Sequence, residues 1–402
     1  MRKLYIFNPD HDLALASDSD HFDAPLSAKV FARDFSALPL WYSAENAVHI
    51  VSSQCCRDAF NASVYTETVD QSWLQEQQKL FPQLKNSSLT TQLSESMEIL
   101  PWGWNKTIRR YFEKKGASQL PSVEQLERLR TLQHRKLAIE ATAFLQPLEN
   151  PTLHLAKPAS VLTSDEIENF VAVHPFAIFK APWSGSGKGI VRSLGYLPEN
   201  LLNRVKNIAI KQGSVIAEPL YTIIQDFAME FSCKNGKTDF VGYSWFYTNE
   251  HGAYQGNLLA SNEFIVNKLQ EWISAEDLHA IQNALITFIS EHIAPYYTGF
   301  VGVDMFIYKE NGQIFVHPCV EFNLRMTMGV VARLFYDRFV EDGKTGSFSV
   351  DFFNNSEDLL ADHTTQSSKT VHIINGRIQN GYLSLTPVTK DTHYRARVEI
   401  TL

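Results

Sequence analysis

Apolar and polar residues alternate most clearly between Gly299 and Arg325, where the chain reads GFVGVDMFIYKENGQIFVHPCVEFNLR. Two largely apolar runs flank Asn311-Gly312, a dipeptide that supplies the positive φ angles of a two-residue hairpin loop. The loop sets Glu310 opposite Gln313 and, counting back, Asp304 opposite Cys319. Because side chains alternate along a strand, Glu321 and Asn323 share the face of Asp304. Near the N-terminus, Leu4–Phe7, Val48–Val51 and Ile99–Leu100 predict strands, with helices near 27–37 and 69–80. That alternation favours a parallel sheet with crossovers. Thr163-x-x-Glu166 and Ser274-x-x-Asp277 are capping signals for helices over 164–173 and 275–293. Leu278, Ile281, Leu285, Phe288 and Ile289 form the buried stripe of the second. The charge-rich stretch 122–145 is helical, a helix near 329–340 packs behind the hairpin, and 369–400 alternates like strands around a second Asn-Gly at 375–376.

Chemistry enters where polar residues interrupt these runs. Asp304, Glu321 and Asn323 put two carboxylates and a carboxamide on one strand face, a hard oxygen set suited to Mg²⁺ beside phosphate. Arg325 follows on the same face with a fork that matches phosphate or carboxylate oxygens. A solvated outer face is the alternative, but the residues between are almost all apolar, as in a buried strand. Residues 176–190 read FAIFKAPWSGSGKGI, an apolar strand ending in Lys180 and then a loop of Ser184, Gly185, Ser186, Gly187, Lys188 and Gly189. Its glycines let the backbone approach an anion and aim N–H groups at it. The GxxxxGK[ST] pattern fails here, with Pro182 at the first glycine position and Gly189 where the hydroxyl belongs.

Together these motifs, in order over roughly 130–340, resemble the ATP-grasp superfamily. The resemblance implies α/β and α+β architecture: an ATP-grasp fold preceded by a Rossmann-like (pre-ATP-grasp) α/β domain. It divides the chain into 1–120, the N-terminal domain; 121–216, a small subdomain with the glycine-rich loop; 217–345, a large subdomain with the Mg-binding hairpin; and 346–402, a strand-rich extension. It implies that Lys136 in QHRKLAIEATAF and Lys180 bind phosphates, and that residues 184–189 cover the triphosphate. Glu218 and the backbone near Leu220, in SVIAEPLY, would meet adenine, and Asp226 in QDFAMEF the ribose. Asp304, Glu321 and Asn323 would hold Mg²⁺, with Mn²⁺ as the alternative ion, while Arg325 and Lys188 serve the chemistry. The family commonly has Asn-Pro-Arg where this chain has Asn323-Leu324-Arg325.

The implied reaction joins a small carboxylate, an amino acid or peptide, to an amine through an acylphosphate, with ATP going to ADP. A small-molecule kinase and a non-catalytic nucleotide-binding regulator are the alternatives. Substrate contacts are sought at Asp10 and His11, at the end of the first strand, and at Tyr254 and Asn257. Asn8-Pro9-Asp10-His11-Asp12 equally suits simple turn capping, Asn105 suits an N-cap, and Trp102 and Trp104 suit interface filling.

Composition narrows the rest. A chain of 402 residues with 44% hydrophobic and 20% charged residues is an ordinary globular protein of two or three domains. The net charge of −8 argues against a general nucleic-acid or anionic-membrane binder, and an oligomer stays open. Four cysteines, two of them the adjacent Cys55-Cys56, make no disulfide scaffold and point to a reduced cytoplasmic compartment. The first residues hold too short an apolar run for a secretory signal, and no stretch approaches the length of a bilayer span.

Overall fold

The computed structural model describes residues 2–43, 48–51, 71–90, 97–185, 189–249 and 252–401. Cys55, Cys56 and the first two residues of the helix expected over 69–80 lie outside them. The chain divides into two compact units, one of Met1–Leu126, Gln255–Asn262 and Met328–Leu402, the other of Glu127–Tyr254 and Glu263–Thr327.

In the first unit, β1 (Arg2–Ile6), β2 (Val48–Val51), β3 (Ser88–Thr90) and β4 (Met97–Pro101) form a parallel sheet in the order β3-β2-β1-β4. Leu4, Ile6, Met97 and Ile99 bury one face against Tyr111 and Phe112 of the helix Lys106–Lys114. Asn105 starts that helix by accepting a 3.0 Å hydrogen bond from the Ile108 N–H. The same unit holds an antiparallel ladder running from the Gln255–Leu259 part of β11 (Tyr254–Leu259) through β14 (Gly346–Phe352) and β17 (Tyr394–Ile400) to β16 (Arg377–Ser384) and β15 (His372–Ile374). Asn375 and Gly376, at φ 51° and 75°, make the expected turn between β15 and β16. The helix Ser356–Gln366, capped by Asn355, is an addition to the strand-rich reading of the C-terminus.

The second unit contains two antiparallel sheets. The smaller joins β5 (Ser160–Leu162), β6 (Phe176–Lys180), β7 (Ile190–Leu194) and β8 (Val215–Pro219) in the order β5-β8-β6-β7. Phe179, Val191 and Ala217 pack there against Val205 and Ala209 of the helix Glu199–Gln212. The larger orders β13 (Gln313–Asn323), β12 (Gly299–Glu310), β9 (Thr222–Lys234) and β10 (Lys237–Thr248) as β13-β12-β9-β10. The helix Ala275–His292 buries the expected stripe, and its Phe288 ring stacks on Phe322 of β13 at 5.8 Å.

Two sequence expectations need correction. The stretch 122–145 is two helices, Val123–Leu132 and Lys136–Leu145, interrupted just where Arg135 turns inward. The helix of 164–173 begins only at Ile167, while the Thr163 N–H and hydroxyl both donate to the Glu166 carboxylate.

The hairpin register also differs, and this matters for the site. Glu310 does oppose Gln313, and the two-residue count holds as far as Phe306 and His317. Beyond them the pairing slips, and Asp304 stands opposite Glu321 rather than Cys319. Pro318 lies in the slipped stretch and has no N–H to give the ladder. A shift of two residues leaves every side chain on its original face.

Candidate functional site

β12 lies between β9 and β13, so its register sets which acids meet. Asp304 pairs with Glu321 on one side and Ala228 on the other, while Gly302 pairs with Asn323 and Glu230. One sheet face therefore carries Asp226, Glu230, Asp304, Glu321 and Asn323, with Arg325 just beyond the strand end. Burial, then the charges of Glu321 and Glu230, pushes the Asp304 carboxyl well above the usual carboxylate range, and it shares a hydrogen bond with Glu321. Glu230, only 1% exposed, was not singled out by the sequence. Burial raises its carboxyl to about 8, against the opposing pull of the Thr327 hydroxyl and Arg325.

A cation faces this acidic pair from the start of the helix Lys136–Leu145, but it is Arg135. Its guanidinium donates to the Ala181 carbonyl at 2.6 Å, to Ser184 Oγ at 2.7 Å, and to the Glu321 carboxylate. Arg135 is buried, whereas Lys136 is exposed on the next position of the helix. Helix phase, not charge, separates these neighbours, and the sequence HRK does not reveal it.

Lys180, 7% exposed at the end of β6, forms an ion pair with Glu218 of β8. The other oxygen of Glu218 faces His317 Nε2 at 3.0 Å. Burial opposes ionisation of Glu218, but Lys180 and His317 outweigh it and hold the carboxyl far below its ordinary value. His317 lies on β13 opposite Phe306, so it reaches the acidic face through the alternation that selected Asp304. Tyr221, Phe306 and Tyr308 line the same region, with the Tyr221 and Tyr308 ring centroids 4.3 Å apart. Leu220 donates its N–H to the Phe176 carbonyl at 3.1 Å, pinning the hinge strand to β6. Asp226 accepts from the Thr248 hydroxyl at 2.9 Å, and burial raises its carboxyl.

The glycine loop is closed at its base by the Ala181 N–H on the Gly189 carbonyl at 2.9 Å. Gly189 sits at φ +77°, where a Cβ would come within 3.0 Å of Ala181 and Ser184. Gly185 is buried beside Ser184. Ser186, Gly187 and Lys188 lie outside the described residues. The groups before the glycine loop and the groups on the late hairpin thus meet in one compact unit, through Arg135–Glu321 on one side and Lys180–Glu218–His317 on the other.

Among the described residues no three His, Cys, Asp or Glu side chains gather closely enough to hold a metal unaided. Two carboxyls sharing one hydrogen bond, with Asn323 beside them, nonetheless fit Mg²⁺ as phosphate-rich sites bind it, with one or two carboxylates and the remaining oxygens from phosphate and water.

The remaining candidates fall in different places. Tyr254 is in the second unit, and burial and then the Glu230 charge raise its hydroxyl well above the ordinary value. Asn257 is buried on β11 of the first unit, opposite Phe348. In the same unit Asn8 clamps Gly103, donating to its carbonyl at 2.9 Å and accepting from its N–H at 3.4 Å. His11 meets Asn105 at 3.3 Å, and a Cβ on Gly103 would sit 2.5 Å from the His11 ring. Burial and Asp12 raise the Asp10 carboxyl to about 6, with hydrogen bonding to its own backbone opposing them. Trp102 packs against Phe7 at 4.9 Å.

No protein-family model matches the chain, and no curated protein does. Among solved structures it is similar to N5-carboxyaminoimidazole synthetase from Staphylococcus aureus complexed with ADP, at 12% identity and TM-score 0.47, over 100% of this chain and 93% of that one. A biotin carboxylase–β,γ-ATP complex from Campylobacter jejuni gives 11% and 0.49, over 100% and 88%. An L-amino acid ligase from Bacillus licheniformis gives 10% and 0.43, over 100% and 93%. Likeness of this degree carries no argument about activity, which has to come from the residues.

Proposed function

We propose that the protein belongs to the ATP-grasp superfamily and is an ADP-forming ligase that joins a small carboxylate, an amino acid or peptide, to an amine. The observation that carries this reading is the bridge from Arg135 to both Ser184 and Glu321. It brings the base of a glycine-rich loop and a carboxylate pair to one cation, which is what a triphosphate with its counter-ion needs around it.

In this reading Lys180, Arg135 and Arg325 offset phosphate charge, and the Ser184–Gly189 loop offers backbone N–H groups. Lys136 and Lys188 stay in the phosphate-binding set on sequence alone. Glu218, Leu220 and Asp226 border the nucleoside, beside the Tyr221–Tyr308 wall. Asp304, Glu321 and Asn323 would hold Mg²⁺, or Mn²⁺ in its place, and that ion would neutralise charge as phosphoryl transfer proceeds. Two charged substrates held in line, with their charges matched, need no protein nucleophile. Tyr254 borders the acceptor side; Asp10, His11 and Asn257 are assigned to substrate from the sequence. Buried free Cys233 and Cys319 suit a reduced cytoplasmic compartment. Among the described residues no helix is long and apolar enough to cross a membrane.

Incubation with Mg-ATP and the twenty amino acids, followed by mass spectrometry, tests the assignment. ADP with a condensed product is the expected result, and added hydroxylamine should divert it to a hydroxamate. A phosphorylated amino acid would make the protein a kinase. Tight ATP binding with no ADP would make it a regulator.

A further inference from the structure

The proposed nucleotide site makes no use of Trp183, the residue just before Ser184 and the glycine loop. The chain entering that loop is tied down residue by residue. Arg135 donates from its guanidinium to the Ala181 carbonyl at 2.6 Å and from its own N–H to the Pro182 carbonyl at 3.2 Å. Trp183 donates its backbone N–H to Gln212 Oε1 at 3.0 Å and its indole N–H to the Arg130 carbonyl at 2.9 Å. Ser184 Oγ then accepts from Arg135 at 2.7 Å.

The indole is also held on two sides. The Arg130 guanidinium lies over its ring at 3.6 Å, and the His134 ring meets it edge-on at 4.6 Å. Arg130 is in the last turn of the helix Val123–Leu132, and His134 is in the break before the helix Lys136–Leu145. Trp183 therefore braces the break from which Arg135 turns inward. Arg130, Arg135 and Lys136 crowd like charges onto this junction, and their repulsion favours spreading them apart. The π face of Trp183 gives Arg130 a place of its own. The indole N–H fixes the Arg130 carbonyl, so the backbone on both sides of the break is pinned to the loop. A long side chain such as arginine is placed accurately only when its backbone and neighbours are.

We infer that Trp183 is the positioning residue for Arg135. It acts through that guanidinium, holding it where the loop, Glu321 and a bound phosphate would meet. The inference rests on the nucleotide reading above and adds what sets the affinity of that site for phosphate.

Calorimetric titration of the full chain with Mg-ATP tests this in a double-mutant cycle. With Arg135 intact, Trp183→Ala should raise the Kd for Mg-ATP about tenfold. Arg135→Lys keeps the buried charge but has no fork to share between loop and hairpin, so in that background Trp183→Ala should change the Kd by less than about twofold. Trp183→Phe keeps an aromatic ring between Arg130 and His134, loses the indole N–H, and should bring the Kd back to about threefold above the wild type. It takes the place of Trp183→Ala in the cycle if that variant does not fold, with the threefold loss again confined to the Arg135 background. Equal losses in both backgrounds would make Trp183 a packing residue only and overturn the inference, as would an unchanged Kd in both. A wild-type protein that binds no Mg-ATP removes the nucleotide reading and this inference with it.

Discussion

Arg135 and Glu321 lie 186 positions apart in the chain, yet they form an ion pair that ties the start of a helix to the acidic hairpin. The pair sets two demands against each other. Arg135 is buried and needs an anion, and Glu321 is one of two carboxyls proposed to face a divalent cation. Under the proposed function, phosphate would replace Glu321 as the partner of Arg135 and free that carboxylate for the metal.

Glu321→Gln therefore has a double signature. Turnover with Mg-ATP should fall on the order of 100-fold or more, since a metal-neutralising charge is gone. The nucleotide-free protein should also lose about 1–2 kcal/mol, because Arg135 keeps only its bonds to Ala181 and Ser184. Thermal melts with and without Mg-ATP, run beside the ADP assay, check both parts. Wild-type turnover in this variant would remove Glu321 from the metal site.

Lys180, Glu218 and His317 allow a sharper separation of stability from binding. Lys180→Ala leaves a buried carboxylate with His317 as its remaining partner among the described residues and should cost about 3–5 kcal/mol. Lys180→Met combined with Glu218→Gln removes both charges and should recover most of that loss. ATP affinity should drop at least tenfold in the single variant and stay low in the double, as phosphate has lost its ammonium. Urea titrations and calorimetric ATP binding read the two quantities. Recovery of ATP affinity in the double variant would mean the phosphates lie elsewhere.

These residues also mark what the sequence makes legible. The Asn311-Gly312 turn and strand alternation place Asp304, Glu321 and Asn323 on one face, because period-two patterning survives a register slip of two. The slip itself was not legible: a proline inside an apolar run lowers ladder pairing without announcing how many residues the partner strand skips. Lys180 was legible as the polar end of an apolar strand. Arg135 was hidden beside Lys136, since adjacent cations differ only in helix phase. His317 and Glu230 were hidden for another reason: each looks like a polar residue in an amphipathic strand, and only cross-strand neighbours give it a role. Glu230 is four residues from Asp226 on the same strand face, a spacing that carries the signal once β9 is known to be central.

Glycines on β12 and in its turn differ in what a side chain would meet. Gly302→Ala puts a methyl 2.9 Å from both Glu230 and Thr327, and overpacking of this kind should cost about 1–3 kcal/mol. Gly312→Ala meets nothing within 4 Å and suffers only from its φ of +84°, for about 1 kcal/mol. Denaturant melts should rank Gly302→Ala as the more damaging, and it should impair turnover while Gly312→Ala does not. The reverse order would mean that the space above Gly302 is not enclosed as described.

His134 gives a dependence on pH whose sign is fixed by its surroundings. Burial, then Arg130, Lys136 and Arg135, lowers its imidazole from 6.5 to about 4. The ring accepts from the Lys136 N–H at 2.9 Å and packs edge-on against Trp183. In the unfolded chain His134 takes up a proton near pH 6.5, while the folded protein resists until about pH 4. The unfolded state thus binds more protons between these values, and stability falls as pH drops through that window. Because the ring is only partly enclosed, solvent screening reduces the effect to about 1–2 kcal/mol. His134→Gln keeps an acceptor for the Lys136 N–H but cannot titrate, so its loss of stability between pH 7.5 and pH 4.5 should be smaller than that of the wild type by this amount. Urea melts of both proteins at the two pH values measure the difference directly, and acid losses of equal size would show that His134 protonates as easily in the folded protein as outside it.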